Sequence, residues 1–392
     1  MPEAVIVSAA RTAIGTAFKG SLTETLPEEL ARVVIEANVE RSGLDPAKFD
    51  DVVLAESNYG GGDIARHAAV AAGLVHVPGT AVNRHCAGSL TAVQVAAGSI
   101  RSGMDRAVIA GGVHSSSLSP QQRQRIPGTV DQFKENWMSP PNPDTPEEPN
   151  QDMTVTVGWN TAKEVGISRE DLDAWALRSH ERAIAAIDAG KFVDEIVPVK
   201  ALQKDGSYKE FVVDEHPRRG STMEKLASLK VIHPEIEGFS TTAGNSSGIN
   251  DAAAALTLVG DDLAKSEGLT PLATVRAWAN AAVEPRRTGM AALDVIPKVL
   301  DRAGLKVSDV TLWEINEAFA SVPVAACRLL NIDEELVNFS GSGCSLGHPI
   351  SASGARMLAT LVYELRRRGG GIGVAAMCAG GGQGGGVVIE VK

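Results

Sequence analysis

The sequence predicts an α/β fold in which a buried sheet carries helices on both faces. Short apolar stretches at residues 4–8, 51–54 and 106–112 alternate with helical patterns, of which 27–42 has its apolar residues on one face. Strands separated by helices at this spacing are typical of a parallel sheet that is covered on both sides. The 392 residues are enough for two or three domains and a large core.

Changes of composition divide the chain into three units. Residues 1–118 together with 249–268 form an N-terminal half, and residues 269–392 form a C-terminal half. Residues 119–248 are expected to be an inserted domain, because this stretch opens with polar, proline-rich sequence. The two halves share a faint repeat of strand, helix and strand, which predicts one ligand site between them.

Several local elements follow from the pattern. A helix at 168–189 is expected to begin with a capping box formed by Ser168 and Asp171. The stretches 196–199 and 209–213 are expected to form a small antiparallel pair. The alanine-rich segment from Asn250 is expected to be a buried helix, and another helix is expected at 317–330.

Composition and charge exclude several classes of protein. The formal net charge of −11 argues against nucleic acid or an anionic membrane as the main partner. No apolar run approaches the length of a membrane span. The four cysteines lack zinc-site spacing, so neither a bound metal nor a disulfide framework is predicted. The chain opens without a basic region followed by an apolar one, so a cytoplasmic location is expected.

One stretch combines a nucleophile with the start of a helix. Cys86 follows an extended apolar approach at 79–82 and precedes an almost wholly small and apolar run at 87–100. A helix that is apolar all round lies inside a protein, and a thiol at its N-terminus has its pKa lowered by unpaired amides and the helix dipole. Cys86 is therefore a candidate nucleophile. The alternative is a cysteine that only fills the core.

Three further stretches carry weaker signals. His348 stands at the start of a helix, where a hydrogen-bonded structural histidine is the alternative to a catalytic one. Cys378 opens a glycine-rich run whose unobstructed amides are suited to a phosphate or an oxyanion, and a floppy loop is the alternative. Asn316 and Glu317 follow a buried strand, where an acidic residue at a helix start is common in any case.

Together these motifs resemble those of the thiolases, the acyl-CoA:acetyl-CoA C-acyltransferases, over essentially the full length of the chain. The matching segments are 7–15 (VSAARTAIG), 83–88 (NRHCAG), 240–251 (STTAGNSSGIND), 314–320 (EINEAFA), 347–356 (GHPISASGAR) and 378–382 (CAGGG). So many motifs in the same order are highly specific. The resemblance implies the thiolase fold, in which two similar halves pack as a five-layered α/β/α/β/α core with an inserted loop domain.

The resemblance assigns a role to each candidate residue. In thiolases the cysteine matching Cys86 attacks a 3-oxoacyl-CoA and keeps the acyl group. His348 matches the base that produces the thiolate, and Cys378 matches the residue that moves the proton at the acetyl methyl group. Asn316 matches the residue that fixes a water, which binds the oxyanion of the acetyl-CoA carbanion together with His348. The backbone amides of Cys86 and Gly380 match a second oxyanion hole.

The resemblance also implies that the inserted domain grips CoA. The expected contacts with CoA are Met153, Arg218, Arg219, Ala243, Gly244, Ser247 and Phe319. Ser247 and Ala243 would lie along the pantetheine, and the adjacent arginines near the nucleotide, although such a pair is equally typical of a solvated surface. CoA thioesters are then substrates in fatty-acid or related acyl-CoA metabolism, no cofactor is needed, and a homodimer or homotetramer is expected.

The surroundings of the catalytic motifs depart from the usual thiolase pattern. Residues 87–89 are Ala-Gly-Ser where thiolases usually have Gly-Ser-Gly, and 341–345 are Gly-Ser-Gly-Cys-Ser in place of Gly-Gly-Ala-Ile-Ala. The strand end at 112–117 has His and three Ser where Glu and Met are usual. Asp152 precedes Met153 where acetoacetyl-CoA enzymes carry a His-Met pair. We therefore expect a substrate longer or bulkier than acetoacetyl-CoA, while the direction of the reaction and the pathway stay open.

Two other functions stay open at the level of sequence. A condensing synthase of the same superfamily pairs its cysteine with two histidines, or with a histidine and an asparagine. Cys378 and its glycine run favour a thiolase over that enzyme. A catalytically quiet CoA-ester binding or carrier protein is the second alternative, and the retained set of Cys86, His348, Asn316 and Cys378 argues against it.

Overall fold

The computed structural model describes residues 1–57 and 63–392. The strands are β1 (Ala4–Thr12), β2 (Gly15–Thr16), β3 (Asp51–Ala55), β4 (Gly79–Val82), β5 (Ala107–Ser115), β6 (Gln124–Arg125), β7 (Phe133–Lys134), β8 (Ile196–Val197), β9 (Val199–Leu202), β10 (Tyr208–Phe211), β11 (Asn250–Gly260), β12 (Ala273–Ala282), β13 (Leu312–Ile315), β14 (Gly371–Ala379) and β15 (Gln383–Val391). The α-helices are α1 (Pro27–Ser42), α2 (Ile64–Ala71), α3 (Gly88–Ser102), α4 (Asn160–Val165), α5 (Arg169–Asp188), α6 (Met223–Ala227), α7 (Asp261–Glu267), α8 (Ala291–Ala303), α9 (Ser321–Leu330) and α10 (Ser353–Arg367). None of these described helices is both long and apolar enough to cross a lipid bilayer.

Eleven of the described strands form one mixed sheet. Across its width the order is β13-β14-β15-β12-β1-β11-β5-β3-β4, with β2 paired to β11 and β8 paired to β1. β3 runs parallel to β4 and β5, and β13 runs parallel to β14, whereas β11 is antiparallel to its neighbours β1 and β5, and β15 to β12 and β14. The prediction of a parallel sheet is therefore wrong in part. Long strands such as β14 and β15 are joined by a tight turn instead of a helix, which requires antiparallel pairing.

The sheet consists of two half-sheets that meet at a narrow seam. β4, β3, β5, β11 and β1 belong to the first half-sheet, and β12, β15, β14 and β13 to the second. At the seam β1 pairs with β12 only through Val5 with Thr274 and Ile6 with Ala273. Two residue pairs are a weak connection, so the packing of helices against both half-sheets must hold the halves together.

Helices cover both half-sheets and produce five layers. α1 packs against β1, β5 and β11 on the outer face of the first half-sheet, and α8 packs against β12, β14 and β15 on the outer face of the second. α3 and α10 lie between the half-sheets, where they contact each other and strands of both. The buried apolar cluster of this middle layer includes Leu90 and Leu358. The α/β class and the layered core are thus confirmed.

One segment that was expected to be helical is a strand, and one expected helix starts four residues later than predicted. Asn250–Gly260 is strand β11, and all of its residues are buried. Because β11 lies between β1 and β5 with helices on both faces, its small apolar residues carry no pattern that distinguishes a strand from a helix. Helix α9 begins at Ser321 and not at Glu317.

Buried ion pairs fix the insertion that lies between β5 and β11. Arg11 of β1 is only 1% exposed, and its Nε lies 2.6 Å from Glu195 Oε1 while its Nη1 lies 2.7 Å from Asp214 Oδ1. β8 of the insertion also pairs with β1. Removing one partner of such a buried pair typically costs about 3–5 kcal/mol, so the insertion has a well-defined position on the first half-sheet.

Two local predictions within the insertion can be compared with the structure. The capping box of α5 is confirmed, because the Ser168 side chain accepts the Asp171 amide and the Asp171 carboxylate accepts the Ser168 amide. The small antiparallel pair exists, but it joins β9 to β10. It is shifted from the expected position because Ile196 and Val197 pair with β1 instead.

Candidate active site

Cys86 lies in a short 3₁₀ turn, His85–Ala87, between the edge strand β4 and helix α3. His85 has a φ of 44°, a left-handed conformation that is uncommon for a residue other than glycine. Asn83 stabilises the turn by accepting the His85 amide at 2.9 Å, and Ser57 donates to the His85 carbonyl at 3.1 Å. A turn constrained in this way leaves the thiol half-buried instead of closing it into the core.

Desolvation dominates the pKa of Cys86 and raises it to about 11. The amides of Gly380 and of Cys86 itself donate towards the sulphur and act in the opposite direction. The prediction of a lowered pKa is therefore wrong for the protein without substrate. Helix α3 starts only at Gly88, and the cost of burying a thiolate exceeds the effect of the two amides. The same two amides form a small donor site that is suited to an oxyanion.

Cys378 lies near the end of β14, opposite Gly384 of β15. The glycine run forms a tight turn between these strands, which Gln383 closes by donating to the Gly380 carbonyl at 3.1 Å. The alternative of a floppy loop is therefore wrong. The Cys378 thiol is buried, and desolvation followed by the charge of nearby Cys86 raises its pKa above the usual range.

His348 lies in the loop before α10, where neighbouring side chains fix it. Its amide donates to Asn250 Oδ1 at 3.0 Å, and its Nδ1 lies 2.6 Å from Ser353 Oγ. The side chain is buried, and desolvation, with the charges of His114 and Arg356, lowers its pKa to about 3. The imidazole is therefore neutral near neutral pH, which is the form that accepts a proton.

Ser353 sets the tautomer of this imidazole. Its hydroxyl donates to the Pro349 carbonyl at 2.9 Å. A hydroxyl has one proton, so Ser353 must then accept at its contact with His348, and His348 Nδ1 carries the ring proton. Nε2 of His348 consequently has the free lone pair that a base requires.

Asn316 follows β13 directly and lies beside both His348 and Cys378. Its amide donates to the Ala376 carbonyl at 3.0 Å, two residues before Cys378 in β14. Its side-chain Nδ2 lies 3.4 Å from each ring nitrogen of His348. Its Oδ1 is buried, and among the described residues none donates to it. A polar atom of this kind is suited to hold a bound water or a substrate donor.

Glu317 supports this segment and does not start a helix. Its buried carboxylate accepts from Trp175 Nε1 at 2.9 Å, from Ser179 Oγ at 2.6 Å and from Asn338 Nδ2 at 2.7 Å. These contacts join the insertion to the second half-sheet. They fix the backbone that immediately follows Asn316.

The four candidate catalytic residues lie together where the middle helices α3 and α10 begin. Ser57 joins the turn of Cys86 to the loop of His348, because its hydroxyl donates to the His85 carbonyl and its amide donates to Ser351 Oγ at 2.8 Å. The described residues contain no cluster of three or more His, Cys, Asp and Glu side chains that could hold a metal ion. The arrangement offers two thiols, a neutral imidazole and converging amides.

A second histidine, His114, faces this site. It pairs with Ala252 of β11, so its side chain lies on the same face of the sheet as Asn250, which binds the His348 amide. The sequence marked this strand end only as a departure from the family pattern. Successive side chains of a strand lie on opposite faces of the sheet, and this alternation along β5 is the signal that could have placed the His114 imidazole at the site.

Close packing brings the end of β5 against the His348 loop. Gly112 lies on the same face as His114, and a methyl group at Gly112 would overlap the Ser351 carbonyl. His114 is buried, with its Nε2 3.0 Å from Ser116 Oγ, and desolvation lowers its pKa to about 4. The site therefore contains two imidazoles that are both neutral near neutral pH.

A cavity of about 230 Å³ lies between the insertion and the C-terminal part of the chain. Four of the predicted CoA contacts line it, namely Arg218, Arg219, Ala243 and Gly244. Cys344 also contributes to its wall, and the Cys344 amide donates to Glu317 Oε2 at 3.1 Å. Because Glu317 follows Asn316, this hydrogen bond connects the cavity wall to the segment that carries Asn316.

The remaining expected CoA contacts lie away from this cavity wall. The Ser247 amide donates to the Ala318 carbonyl at 2.9 Å, so Ser247 runs along the segment after Asn316. Phe319 is buried in the apolar cluster around α8 and α9, and Met153 packs against that cluster. Their contact with CoA stays a prediction. The polar residues His180, His216, Ser221 and Lys225 also line the cavity wall and were not predicted from the sequence.

Comparison with known proteins identifies the family. Residues 4–262 match the family model of the thiolase N-terminal domain, and residues 269–391 match that of the thiolase C-terminal domain. Together the two matches cover nearly the whole chain, and the short gap between them, residues 263–268, falls on α7 and the residue after it.

Individual relatives extend over similar lengths. The chain is 39% identical to an acetyl-CoA acetyltransferase of Cupriavidus necator, with 100% of both chains covered. It is 40% identical to the Arabidopsis thaliana protein named 3-ketoacyl-CoA thiolase 5, peroxisomal, with 99% of this chain and 85% of the relative covered. The crystal structure of the Bacillus anthracis acetyl-CoA acetyltransferase superposes with a TM-score of 0.91 at 37% identity, covering 100% of this chain and 99% of the other. The chain therefore belongs to the thiolase family of acyltransferases.

Proposed function

We propose that the protein is an acyl-CoA C-acyltransferase that cleaves a 3-oxoacyl-CoA with CoA, or runs the reverse Claisen condensation, through an acyl-cysteine. One observation carries this proposal. Cys86 and Cys378 lie close enough for charge on Cys86 to raise the pKa of Cys378, and the Gly380 amide donates to the Cys86 sulphur. A nucleophile and a proton donor at carbon are thus combined with an oxyanion site.

In the first half-reaction His348 Nε2 takes the proton of Cys86, and the thiolate attacks the C3 carbonyl of the 3-oxoacyl-CoA. The amides of Cys86 and Gly380 stabilise the alkoxide that forms. Its collapse breaks the bond between C2 and C3, leaving the acyl group on Cys86 and a carbanion at C2 of acetyl-CoA. Cys378 gives its proton to this carbanion, whose thioester oxygen is held by His348 and by a water on Asn316.

In the second half-reaction the thiolate of Cys378 takes the proton of an incoming CoA thiol. The CoA thiolate attacks the acyl-Cys86 thioester, and the same two amides stabilise the second alkoxide. Cys86 leaves as a thiolate and recovers its proton from His348, which becomes neutral again. Each residue ends in its starting protonation state, so the cycle closes.

The raised pKa values of the two thiols fit such a sequence. Both thiols are protonated before substrate enters, and His348 is neutral. A protonated Cys378 is ready to donate to a carbanion, and a neutral His348 is ready to accept from Cys86. Binding of the substrate carbonyl at the amides of Cys86 and Gly380 then favours proton transfer from Cys86. The reason is that these two amides bind the alkoxide more strongly than they bind the carbonyl.

The direct test is a thiolysis assay. The purified protein is mixed with CoA and 3-oxoacyl-CoA substrates of increasing chain length, and acetyl-CoA release is followed. Peptide mass mapping after brief exposure to acetyl-CoA should place the acetyl group on Cys86. No thiolysis of any substrate in the series, or a label on Cys327 or Cys344 alone, would contradict the proposal.

A substrate longer or bulkier than acetoacetyl-CoA is the finer proposal. It is supported by Asp152, which stands where a His-Met pair would begin and whose carboxylate bonds to His233 Nε2 at 2.8 Å. The small side chains of Ser115–Ser117 at the end of β5 also support a larger substrate. The proposal fails if turnover of acetoacetyl-CoA exceeds that of every longer 3-oxoacyl-CoA.

A condensing synthase is the second candidate, because His114 adds a second imidazole beside His348. A pair of histidines beside a cysteine is suited to decarboxylative condensation. Cys378 argues against it, since a decarboxylating enzyme needs no acid–base group at the acetyl carbon. Release of CO₂ from malonyl-CoA in the presence of an acyl-CoA would favour the synthase, and its absence alongside thiolysis would favour the thiolase.

We further propose a homodimer or homotetramer that acts in the cytoplasm and needs no cofactor. β4 is an edge strand of the sheet and its residues Thr80 and Ala81 are exposed, which supports pairing with a second copy. The proposed boundaries of the inserted domain at residues 118 and 249 are supported by their closeness to the end of β5 at Ser115 and the start of β11 at Asn250. Sedimentation at micromolar concentration tests the oligomer, and a stable monomer would contradict it.

A further inference from the structure

A buried ion pair connects helix α10 to strand β13. Arg356 Nη1 lies 2.8 Å from Glu314 Oε2, and both side chains are buried. The Ser342 hydroxyl donates to Glu314 Oε2 at 3.0 Å and accepts from Arg356 Nη2 at 2.9 Å. These three residues form the arginine cluster, in which α10, β13 and the segment 341–345 meet in one set of hydrogen bonds.

The arginine cluster is close in the chain to two catalytic residues. Glu314 stands two positions before Asn316. Arg356 follows Ser353 by three positions, so both lie on one face of α10, and Ser353 Oγ lies 2.6 Å from His348 Nδ1. Asn316 Nδ2 lies 3.4 Å from each ring nitrogen of His348, near the upper limit for a hydrogen bond. A shift of α10 against β13 would therefore break this contact.

The backbone contacts of Asn316 and His348 fix them to different parts of the core. The Asn316 amide donates to the Ala376 carbonyl of β14, in the second half-sheet. The His348 amide donates to Asn250 of β11, in the first half-sheet. Helix α10 packs against strands of both half-sheets, and the arginine cluster fastens it to the strand that precedes Asn316. The cluster is thus placed to set the distance between Asn316 and His348.

Stability alone does not account for this ion pair. Burial raises the pKa of Glu314 to about 7, and the charge of Glu317 adds to the effect, although Arg356 acts in the opposite direction. An acid whose pKa is higher in the folded than in the unfolded chain weakens the fold once the pH exceeds its unfolded value. Glu314 Oε1 and Arg356 Nε also have no hydrogen-bond partner among the described residues. A pair that is costly to bury and incompletely bonded favours a role in the site over one in stability.

Ser342 is one of the departures from the usual thiolase pattern. It stands in the segment 341–345, at the second position, where Gly-Gly-Ala-Ile-Ala would provide a glycine. A glycine has no hydroxyl that could bond to both charged groups. The serine therefore adds a link between Arg356 and Glu314 that the usual residue cannot form.

We propose that the arginine cluster sets the separation of Asn316 and His348, so that its three members are positioning residues. This inference rests on the proposed function, in which His348 and a water on Asn316 hold the thioester oxygen of the acetyl-CoA carbanion. No member of the cluster lines the cavity beside the insertion. The cluster should therefore affect formation of the carbanion. It should affect acyl transfer to Cys86 much less, because that step uses the amides of Cys86 and Gly380.

Two rates measured on the intact protein separate these steps. Hydrogen–deuterium exchange at the methyl group of acetyl-CoA reports carbanion formation, and mass spectrometry of Cys86 after mixing with acetyl-CoA reports acyl transfer. The variant E314M/R356M replaces the pair by apolar side chains, a change that buried ion pairs often tolerate without loss of stability. It should slow exchange by about 10–100-fold, because displacement of a catalytic group by about 1 Å can cost about 100-fold. Acetylation should slow by less than about threefold, because both amides remain.

Two further variants complete the experiment. S342A removes only the bridging hydroxyl, and it should slow exchange by about fivefold, the effect of one hydrogen bond. E195Q is the matched control, because Glu195 is a buried carboxylate that pairs with Arg11 and contacts α10 through Thr360 Oγ1 at 3.2 Å. It stands outside the segments that carry the catalytic residues. E195Q should therefore lower the unfolding temperature without changing the ratio of exchange to acetylation.

Thermal unfolding shows which variants remain folded, and S342A provides the deciding rates if E314M/R356M does not fold. Exchange at the unaltered rate in the folded double variant, or in S342A when the double variant fails to fold, would overturn the inference. Equal losses of exchange and acetylation would also overturn it, because they indicate a general structural role. Both results leave the proposed function intact. Unaltered protein that shows neither exchange nor acetylation would overturn the proposed function as well.

Discussion

The two halves of the core carry the same two kinds of reactive side chain in opposite positions. In the N-terminal half the turn before the middle helix α3 carries Cys86, and β5 after that helix carries His114 near its end. In the C-terminal half the loop before α10 carries His348, and β14 after that helix carries Cys378 near its end. Each half thus supplies one thiol and one imidazole to a site between them.

The surroundings of these four residues are not equivalent, and this difference determines what each can do. Cys86 is half-buried and receives two amides, whereas Cys378 lies in a paired strand and is buried. His348 has a fixed tautomer through Ser353, while His114 bonds only to nearby Ser116 in the described contacts. A nucleophile needs oxyanion donors and an oriented base, and only Cys86 with His348 has both.

The largest expected effect is the loss of the nucleophile. C86A should reduce thiolysis by about 10⁴-fold or more, because it removes the covalent route entirely. Steady-state rates with a 3-oxoacyl-CoA measure this, and C327A, at a buried cysteine of α9 that belongs to none of the matching motifs, is the matched control. Equal losses of activity in C86A and C327A would contradict the assignment of Cys86 as the nucleophile that the N-terminal half supplies.

The next largest effect separates the two thiols. C378S should reduce thiolysis by about 10²–10⁴-fold, because serine is a much weaker acid at carbon. It should still accept an acetyl group on Cys86 from acetyl-CoA, as mass spectrometry would show. Hydrogen–deuterium exchange at the acetyl methyl group decides the role, and exchange at the rate of the unaltered protein would point to His348 as the proton carrier.

The pH dependence of Cys86 alkylation tests its environment directly. With a pKa of about 11, the thiolate fraction of the free protein increases about tenfold per pH unit up to that value. Alkylation by iodoacetamide should therefore rise about 100-fold between pH 7 and pH 9. A rate that is already constant above pH 7 would mean a resting thiolate, stabilised by His348 as an ion pair.

The tautomer of His348 is tested at Ser353. S353A should lower kcat/KM by about 10–100-fold, because Nδ1 loses its acceptor and the ring no longer has one preferred tautomer. S353T keeps the hydroxyl and is the matched control. The pH profile of kcat/KM provides the second readout. If Ser353 had a purely structural role, S353A would change the stability of the protein without altering the acidic limb of that profile.

The smallest expected effect is at His114. H114Q should change kcat by less than about tenfold, since a neutral hydrogen bond contributes about 1 kcal/mol. A larger loss in H114Q than in S353A would reverse the comparison and give the N-terminal imidazole the leading role. The same variant also tests the synthase alternative, which depends on both histidines.

Much of the site was predictable from the sequence, because each catalytic residue stands in a local motif. The positions of Cys86, His348, Asn316 and Cys378 follow from such motifs. The pKa values of these residues cannot be predicted from such motifs, because desolvation depends on what packs around a residue after folding. The expectation of a lowered pKa at Cys86 considered its helix and ignored its burial.

The same limit applies to the fold. The layered α/β class follows from the alternation of strands and helices, but the alanine-rich strand β11 has no periodicity that marks it as a strand. His180 and His216 were missed because their neighbours in the cavity wall lie more than 30 positions away in the chain, such as Arg218 for His180. The role of His114 was missed because it depends on packing beside His348. Those pairings exist only in the folded chain.

The narrow seam between β1 and β12 has a consequence for biosynthesis. Residues of both half-sheets meet at the catalytic centre, and β14 and β15 are made after every other strand described. A nascent chain that has not yet emerged beyond residue 370 contains Cys86 but lacks Cys378 and the Gly380 amide that donates to the Cys86 sulphur. A ribosome-bound chain of that length therefore cannot complete the site that the two half-sheets form together.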